Sequence, residues 1–227
     1  MDFTKESFEQ GQVLLIDKPF RWTSFDVIGR TRKLINVRKV GHAGTLDPLA
    51  TGLLIVCTGK FTKRINEFMA QEKEYSGTFT LGATTPTYDL ESEPENFQPV
   101  DAITPEQIKA ATIPFTGAIQ QIPPAHSAIK VDGKRVYELA RQGKEVKLEP
   151  RNVTIKEFEI TAIEMPVVHF RVVCSTGTYI RSLAFDFGHA LGCGAYLSKL
   201  CRTRIGDFLL QDALTMEAFA DKMKKTE

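Results

Sequence analysis

Several features that would place a chain quickly are scarce or missing here. The four cysteines, Cys57, Cys174, Cys193 and Cys201, show no C-x-x-C spacing. A disulfide framework or zinc site is therefore not expected, and reduced thiols in a cytoplasmic protein fit best. The histidines His42, His126, His169 and His189 are scattered, without the pairing of metal ligands. The longest apolar stretches run four or five residues, far too short to cross a membrane. The first twelve residues hold Asp2, Glu6 and Glu9 and no apolar run, so no targeting segment is expected there. No charge excess exists either: 29 Lys and Arg against 28 Asp and Glu give +1, which argues against a strongly basic nucleic-acid binder. Gly59-Lys60 faintly resembles a phosphate-binding P-loop, but Phe61 stands where Ser or Thr is required and Gly52 lies too far upstream. No repeats or low-complexity tracts appear.

What is present is an ordinary globular composition, 42% hydrophobic and 25% charged over 227 residues. That length is enough to bury a core in one large domain or two small ones. Charge is unevenly spread. Arg30, Arg32, Lys33, Arg38 and Lys39 fall together with no acid among them, while Asp89, Glu91, Glu93, Glu95, Asp101 and Glu106 share a stretch without Lys or Arg. A near-neutral sum can thus hide a basic face, and phosphate affinity follows the local field.

The most informative block runs from Val40 to Gly59. It joins a glycine-flanked carboxylate, Asp47, to an apolar run from Leu53 to Cys57 with the length and β-branched content of a buried strand. Pro48 pushes Asp47 away from helical backbone angles, and Gly41, Gly44 and Gly52 permit turns that other residues resist. A carboxylate on a stiff loop beside a central strand suits catalysis, whereas Asp-Pro alone is common turn chemistry.

Around it the spacing predicts a strand over Val13–Asp17 and an amphipathic helix over about 24–36, with Thr23-Ser24 as N-cap and Asp26 in the first turn. A short helix follows over Phe61–Met69, then a strand with Tyr75, Gly77, Phe79 and Leu81 on one face. Residues 83–103, acidic and rich in proline, read as an exposed connection from which RNA would be repelled. Thr104-Pro105-Glu106 opens a helix to about Thr112. Val153–Ile163 alternates but changes phase between Ile155 and Phe158, suggesting a bulge, and Val167–Cys174 is another strand. A helix then buries Ile180, Leu183, Ala184, Phe187 and Leu191. Arg181 sits in its first turn, where the dipole disfavours a cation and a carboxylate partner is wanted. Thr215 caps a last short helix within 212–227.

His42-Ala-Gly-Thr-Leu-Asp47-Pro-Leu-Ala-Thr-Gly52 resembles the catalytic motif of the TruB family of tRNA pseudouridine synthases. Lys18-Pro19, Glu74-Tyr75, Gln121-x-Pro-Pro through Arg141, Gly177-Thr-Tyr-Ile-Arg181-Ser-Leu-Ala-x-Asp186-x-Gly188 and Leu200-x-Arg202 resemble further landmarks of that family in the same order. The resemblance spans about residues 11–212. It implies an α+β pseudouridine synthase fold around a mixed, mainly antiparallel sheet, as one catalytic domain. It implies Asp47 as the catalytic aspartate, acting as nucleophile or as base. Tyr75 would pack against the target base, as an acid or base, and Arg181 would pair with Asp47. Leu200 would line the pocket, His42 would fill space left by extruded bases, and Lys18 would pack beneath the loop. Contacts to the RNA backbone are expected from Arg30, Lys33, Lys130, Lys134, Arg141 and Arg202, with about 121–150 forming a basic RNA-clamping insertion.

The implied substrate is the T-arm of tRNA, modified at position 55. The reaction neither oxidises nor imports a group, so no cofactor, metal or membrane is expected, and the protein is expected to be a monomer. Two departures stand out. The family's usual C-terminal RNA-binding domain of PUA type finds no room before Glu227, and His126 stands where an aromatic such as Tyr is usual. Two other readings bear on the same residues. One is an RNA-binding module with a degenerate site, against which Asp47, Tyr75 and Arg181 all being present argues. The other is the guide-dependent catalytic subunit of archaea and eukaryotes, which shares the Asp47 block.

Overall fold

A computed structural model describes residues 3–124, 130–131, 134–135 and 148–224, with backbone only at 130, 131, 134 and 135. In chain order its strands are β1 Val13–Lys18, β2 Val40–Ala43, β3 Ala50–Thr58, β4 Lys73–Leu81, β5 Gly117–Gln121, β6 Lys130–Val131 and β7 Lys134–Arg135. They continue with β8 Arg151–Glu164, β9 Val167–Cys174, β10 Ala195–Ile205, β11 Phe208–Leu209 and β12 Leu214–Thr215. Contacts cluster into two compact units, one made of residues 1–76 and 200–227 and the other of 77–199. The divisions fall inside β4 and inside β10. Each unit combines helices with a sheet, as an α+β fold requires.

In the first unit β3 is the anchor. It pairs antiparallel with β1, from Val13↔Cys57 to Lys18↔Gly52, and with β2, from Val40↔Thr58 to Ala43↔Ile55. Its start also pairs parallel with β10 at Leu200↔Ala50, Cys201↔Thr51 and Arg202↔Gly52. Strand side chains alternate, so both faces of β3 must be covered. Leu54 and Val56 join Leu14, Ile16, Val27, Ile28, Ile35 and Phe219 on one side. Leu53, Ile55 and Cys57 join Ala43, Phe68 and Ile205 on the other. This double burial explains why Leu53–Cys57 is continuously apolar. Each such side chain contributes roughly 1.5–3 kcal/mol relative to exposure, so the loop preceding β3 springs from a well-held strand.

The helix Ser24–Ile35 covers the first of those faces. It opens with a capping box in which Thr23 accepts from the Asp26 backbone and Asp26 accepts from the Thr23 backbone. It ends one residue earlier than the spacing suggests, because Asn36 turns left-handed (φ 51°, ψ 41°). The helix anticipated over Phe61–Met69 divides into a 3-10 stretch, Gly59–Arg64, and an α-helix, Ile65–Met69. The Thr62 hydroxyl donates back to the Gly59 carbonyl at 2.9 Å, favouring the tighter turn. Thr215 accepts from the Ala218 amide at 3.1 Å and so caps the helix Met216–Lys224.

The second unit is built on β8, paired antiparallel with β5 and β9. The ladder between β8 and β9 shifts register between Ile155 and Glu157, where the sequence changes phase, and again between Ile160 and Ala162. The helix Ile180–Ala190 buries Ile180, Leu183, Ala184 and Phe187. Phe79 stacks on Phe170 at 4.2 Å and lies 5.6 Å from Phe187, while Phe158 lies 5.5 Å from Phe187.

Residues 83–103 depart from the exposed connection read in the sequence. Ala83, Thr85, Thr87 and Asp89 are buried on alternate positions, and Thr84 bridges to Glu95. The acids that remain outside are Glu91, Glu93, Glu95 and Asp101. Of the 121–150 segment, β6 and β7 pair antiparallel. Arg141 and His126 lie outside the described residues, as do the side chains of Lys130 and Lys134.

Candidate active site

Asp47 sits half-buried on the loop between β2 and β3. Its carbonyl accepts from the Ala50 amide at 3.1 Å as the chain enters β3. Two buried cations hold this loop from below. Lys18, completely buried at the end of β1, donates from Nζ to the carbonyls of Trp22 at 2.5 Å, Pro19 at 3.0 Å and Pro48 at 3.3 Å. Arg202, 1% exposed, donates from Nε to the Leu53 carbonyl at 2.8 Å and from Nη2 to the Gly44 carbonyl at 3.1 Å. Gly44 and Leu53 bracket Asp47 on either side, and Pro48 follows it directly. Charged donors to buried carbonyls are among the stronger hydrogen bonds in a fold.

Arg202 therefore corrects an expectation. It cannot be a contact to the RNA backbone, because its guanidinium is enclosed and committed to the protein's own carbonyls. Its approach also explains Gly52. That residue has φ +100°, and a Cβ there would stand 2.4 Å from the Arg202 carbonyl oxygen and 2.7 Å from its nitrogen. Only glycine admits the β10 strand so closely.

Segment 21–25 braces the loop from the side. The Arg21 amide donates to the Pro48 carbonyl at 2.8 Å. The Ser24 hydroxyl accepts from the Leu46 amide at 3.0 Å and donates to the Leu46 carbonyl at 3.3 Å. Residues on both sides of Asp47 are thus fixed, which pre-organises the carboxylate.

His42, on β2, is partly buried, and its Nδ1 is buried without a hydrogen-bond partner among the described residues. Burial first, then the Arg202 charge, push its pKa down against a pull from the Gly44 backbone, so the ring is neutral near pH 7. Phe25 lies edge-on to it, 5.7 Å away at 87°. Leu200 enters at the register of Ala50. Tyr75 lies partly buried on β4, the strand beside β10 in the sheet. Arg30 and Lys33 are exposed on the helix Ser24–Ile35 and line a surface groove of about 480 Å³ with Arg21, Trp22, Phe25, Asp26 and Gly29.

Lys18 carries a pH dependence. Burial lowers its pKa to about 8, against an opposing pull from the Asp47 charge. Below that pH its ammonium favours the ionised form of Asp47, and above it that support is lost. The turnover rate is expected to fall as pH rises through about 8. A flat kcat profile between pH 7 and 10 would contradict this. Unfolding by this group does not account for such a fall. A lysine depressed from about 10.4 leaves the unfolded chain binding more protons between pH 8 and that value, so its own contribution makes stability rise with pH there.

Arg181 belongs to the second unit. It is the second residue of the helix Ile180–Ala190 and 5% exposed. Its Nη1 donates to the Thr87 carbonyl at 3.3 Å, and its Nε lies 3.7 Å from the Asp89 carboxylate, itself 4% exposed. The carboxylate partner that a first-turn arginine wants is therefore present in its own unit. The other oxygen of Asp89 accepts from the Glu91 amide at 3.0 Å. Sequence reasoning missed Asp89 because it is one acid among six. Burial alternates from Ala83 to Asp89, but residue type does not, since Thr stands at 84, 85 and 87 alike, so the sequence carried no signal that singled it out.

Comparison with known proteins gives these positions a family. Residues 32–180 match the TruB family pseudouridylate synthase N-terminal domain, and 181–227 match the tRNA pseudouridylate synthase B C-terminal domain. The tRNA pseudouridine synthase B of Flavobacterium johnsoniae is 51% identical over 97% of this chain and 100% of its own length. That of Bacteroides fragilis is 53% identical over 95% of each. Among solved structures, one chain of a Cbf5-Nop10-Gar1 complex aligns with a TM-score of 0.76 and 31% identity, covering 97% of this chain. This chain spans only 56% of that one. With both family models and full-length relatives matching, the chain belongs to the TruB family of pseudouridine synthases.

Proposed function

We propose that the protein isomerises uridine to pseudouridine at position 55 in the T-loop of tRNA. The observation that carries this reading is the Asp47 carboxylate, open enough to meet a substrate and fixed by two buried cations and the Ser24 and Arg21 bonds. The full-length likeness to tRNA pseudouridine synthases supports the substrate.

The reaction breaks N1–C1′, turns the base within the pocket and forms C5–C1′. N1 gains a proton and C5 loses one, so atoms balance without an oxidant or imported group. Asp47 acts either by attacking C1′ or by removing the C2′ proton, and both need it ionised. Lys18 favours that form from below, and Arg181 is proposed to aim it. Tyr75 and Leu200 would enclose the released uracil, which must not escape to water. The target base must leave its stack, at a cost of a few kcal/mol, and the neutral His42 ring would take the space left behind. Arg30 and Lys33 suit the phosphates of the extruded loop, and Lys130, Lys134 and Arg141 of the 121–150 segment are proposed to clamp it. A cytoplasmic monomer is the expected setting.

The test uses a T-arm stem-loop carrying tritium at C5 of its uridines. Release of tritium with one equivalent of product per target site is expected. Tight binding without release would make the protein an RNA-binding module instead.

A further inference from the structure

The helix Ser24–Ile35 turns Val27, Ile28, Thr31 and Ile35 into the core. Phe25 lies off that stripe and is 64% exposed. A large apolar ring is placed largely in water here, with His42 edge-on to it at 5.7 Å. It stands in the groove whose other lining includes Arg21, Arg30 and Lys33. The one acid of the groove, Asp26, is already engaged by the Thr23 amide at 2.8 Å and hydroxyl at 2.6 Å. What the groove offers is an open aromatic face within a field of three cations. An unpaired nucleotide matches both features: its base presents a π-face to the ring and its phosphates meet the cations.

The groove is also tied to the reacting centre. The Arg21 and Ser24 bonds to Pro48 and Leu46 grip the residues on either side of Asp47. Arg21 adopts a left-handed backbone (φ 64°), unusual for a residue with a side chain. The backbone that carries Phe25 is therefore tied to the loop that carries Asp47, as a platform beside a reacting nucleotide must be.

Building on the function proposed above, we infer that Phe25 is a stacking platform for an unpaired base of the RNA loop next to the target uridine, with Arg21, Arg30 and Lys33 taking the adjoining phosphates. The residue sets substrate position and takes no part in the chemistry. Single-strand stacking of this kind changes affinity about 5- to 150-fold per base.

The experiment measures KM, kcat and the dissociation constant for the T-arm stem-loop in the wild type, Phe25→Ala, Phe25→Leu and Phe25→Trp. Phe25→Ala is expected to raise KM and the dissociation constant by that factor, the loss lying in KM more than in kcat. Phe25→Leu, which keeps apolar bulk against His42 but has no π-face, should behave like alanine, and Phe25→Trp should restore affinity. A 2-aminopurine placed in turn at each unpaired loop position should be quenched at one position by wild type and not by Phe25→Ala. Unchanged affinity in Phe25→Ala, or leucine equal to phenylalanine, overturns the inference. If the wild type binds but releases no tritium, the proposed function fails instead, and the binding comparison still judges Phe25. Circular dichroism checks that each variant folds, and Phe25→Trp decides should alanine prove unstable.

Discussion

Asp47→Asn is expected to reduce turnover below detection while the protein folds and binds RNA almost as the wild type does. Asparagine keeps the shape of the side chain, and the loop is held by bonds that do not involve the carboxylate: Lys18 to Pro48, Arg202 to Gly44 and Leu53, and Ser24 to Leu46. Only the negative charge is removed. An amide can neither attack C1′ at a useful rate nor accept the C2′ proton, so both routes close together. The variant also relieves Lys18 of a neighbour that raises its pKa, which leaves the ammonium less favoured and costs some stability. The measurement is tritium release under single-turnover conditions, with thermal melting and RNA binding alongside. Appreciable release by Asp47→Asn would remove Asp47 from the chemistry altogether.

Much of this site could be read before any coordinates because its chemistry is local in sequence. Asp47, the proline after it and the glycines around it lie within a dozen residues of the apolar β3 run, whose length and β-branched content marked it as a buried strand. The phase change near Ile155 likewise announced a bulge, since one extra residue must reverse the facing of all that follow. What stayed hidden depends on partners distant in sequence. Arg202 looked like a free cation because nothing near it reveals that its guanidinium turns inward to carbonyls about 150 residues away. Lys18 read only as packing, yet its burial brings its pKa down to about 8. Asp89 was hidden among like charges, and its pairing with Arg181 spans 92 positions. Phe25 was invisible for the opposite reason: an aromatic in a helix is ordinarily core, and only its exposure shows otherwise.

Arg181→Lys is expected to lose at least about 100-fold in kcat with little change in RNA affinity, while a lowered melting temperature records the buried Thr87 and Asp89 contacts that lysine does not hold. Lysine retains the charge, so a role limited to attracting phosphate would survive the change. Its ammonium is a compact point charge, whereas the guanidinium is a rigid fork of five donors. In the second unit that fork already serves the Thr87 carbonyl and the Asp89 carboxylate, so its remaining donors are fixed in direction. Lysine cannot hold both contacts and still serve, on the pairing proposed above, as a directed donor to Asp47. Hydrogen bonds to charged groups contribute about 1.5–3 kcal/mol, and losing one fixed partner together with the orientation of another gives the expected factor. Asp89→Asn should produce a smaller fall in the same parameter, because it weakens the hold on the guanidinium without removing it. A wild-type rate in Arg181→Lys would show that direction at this position is irrelevant and that Asp47 is aimed by Lys18 and the loop alone.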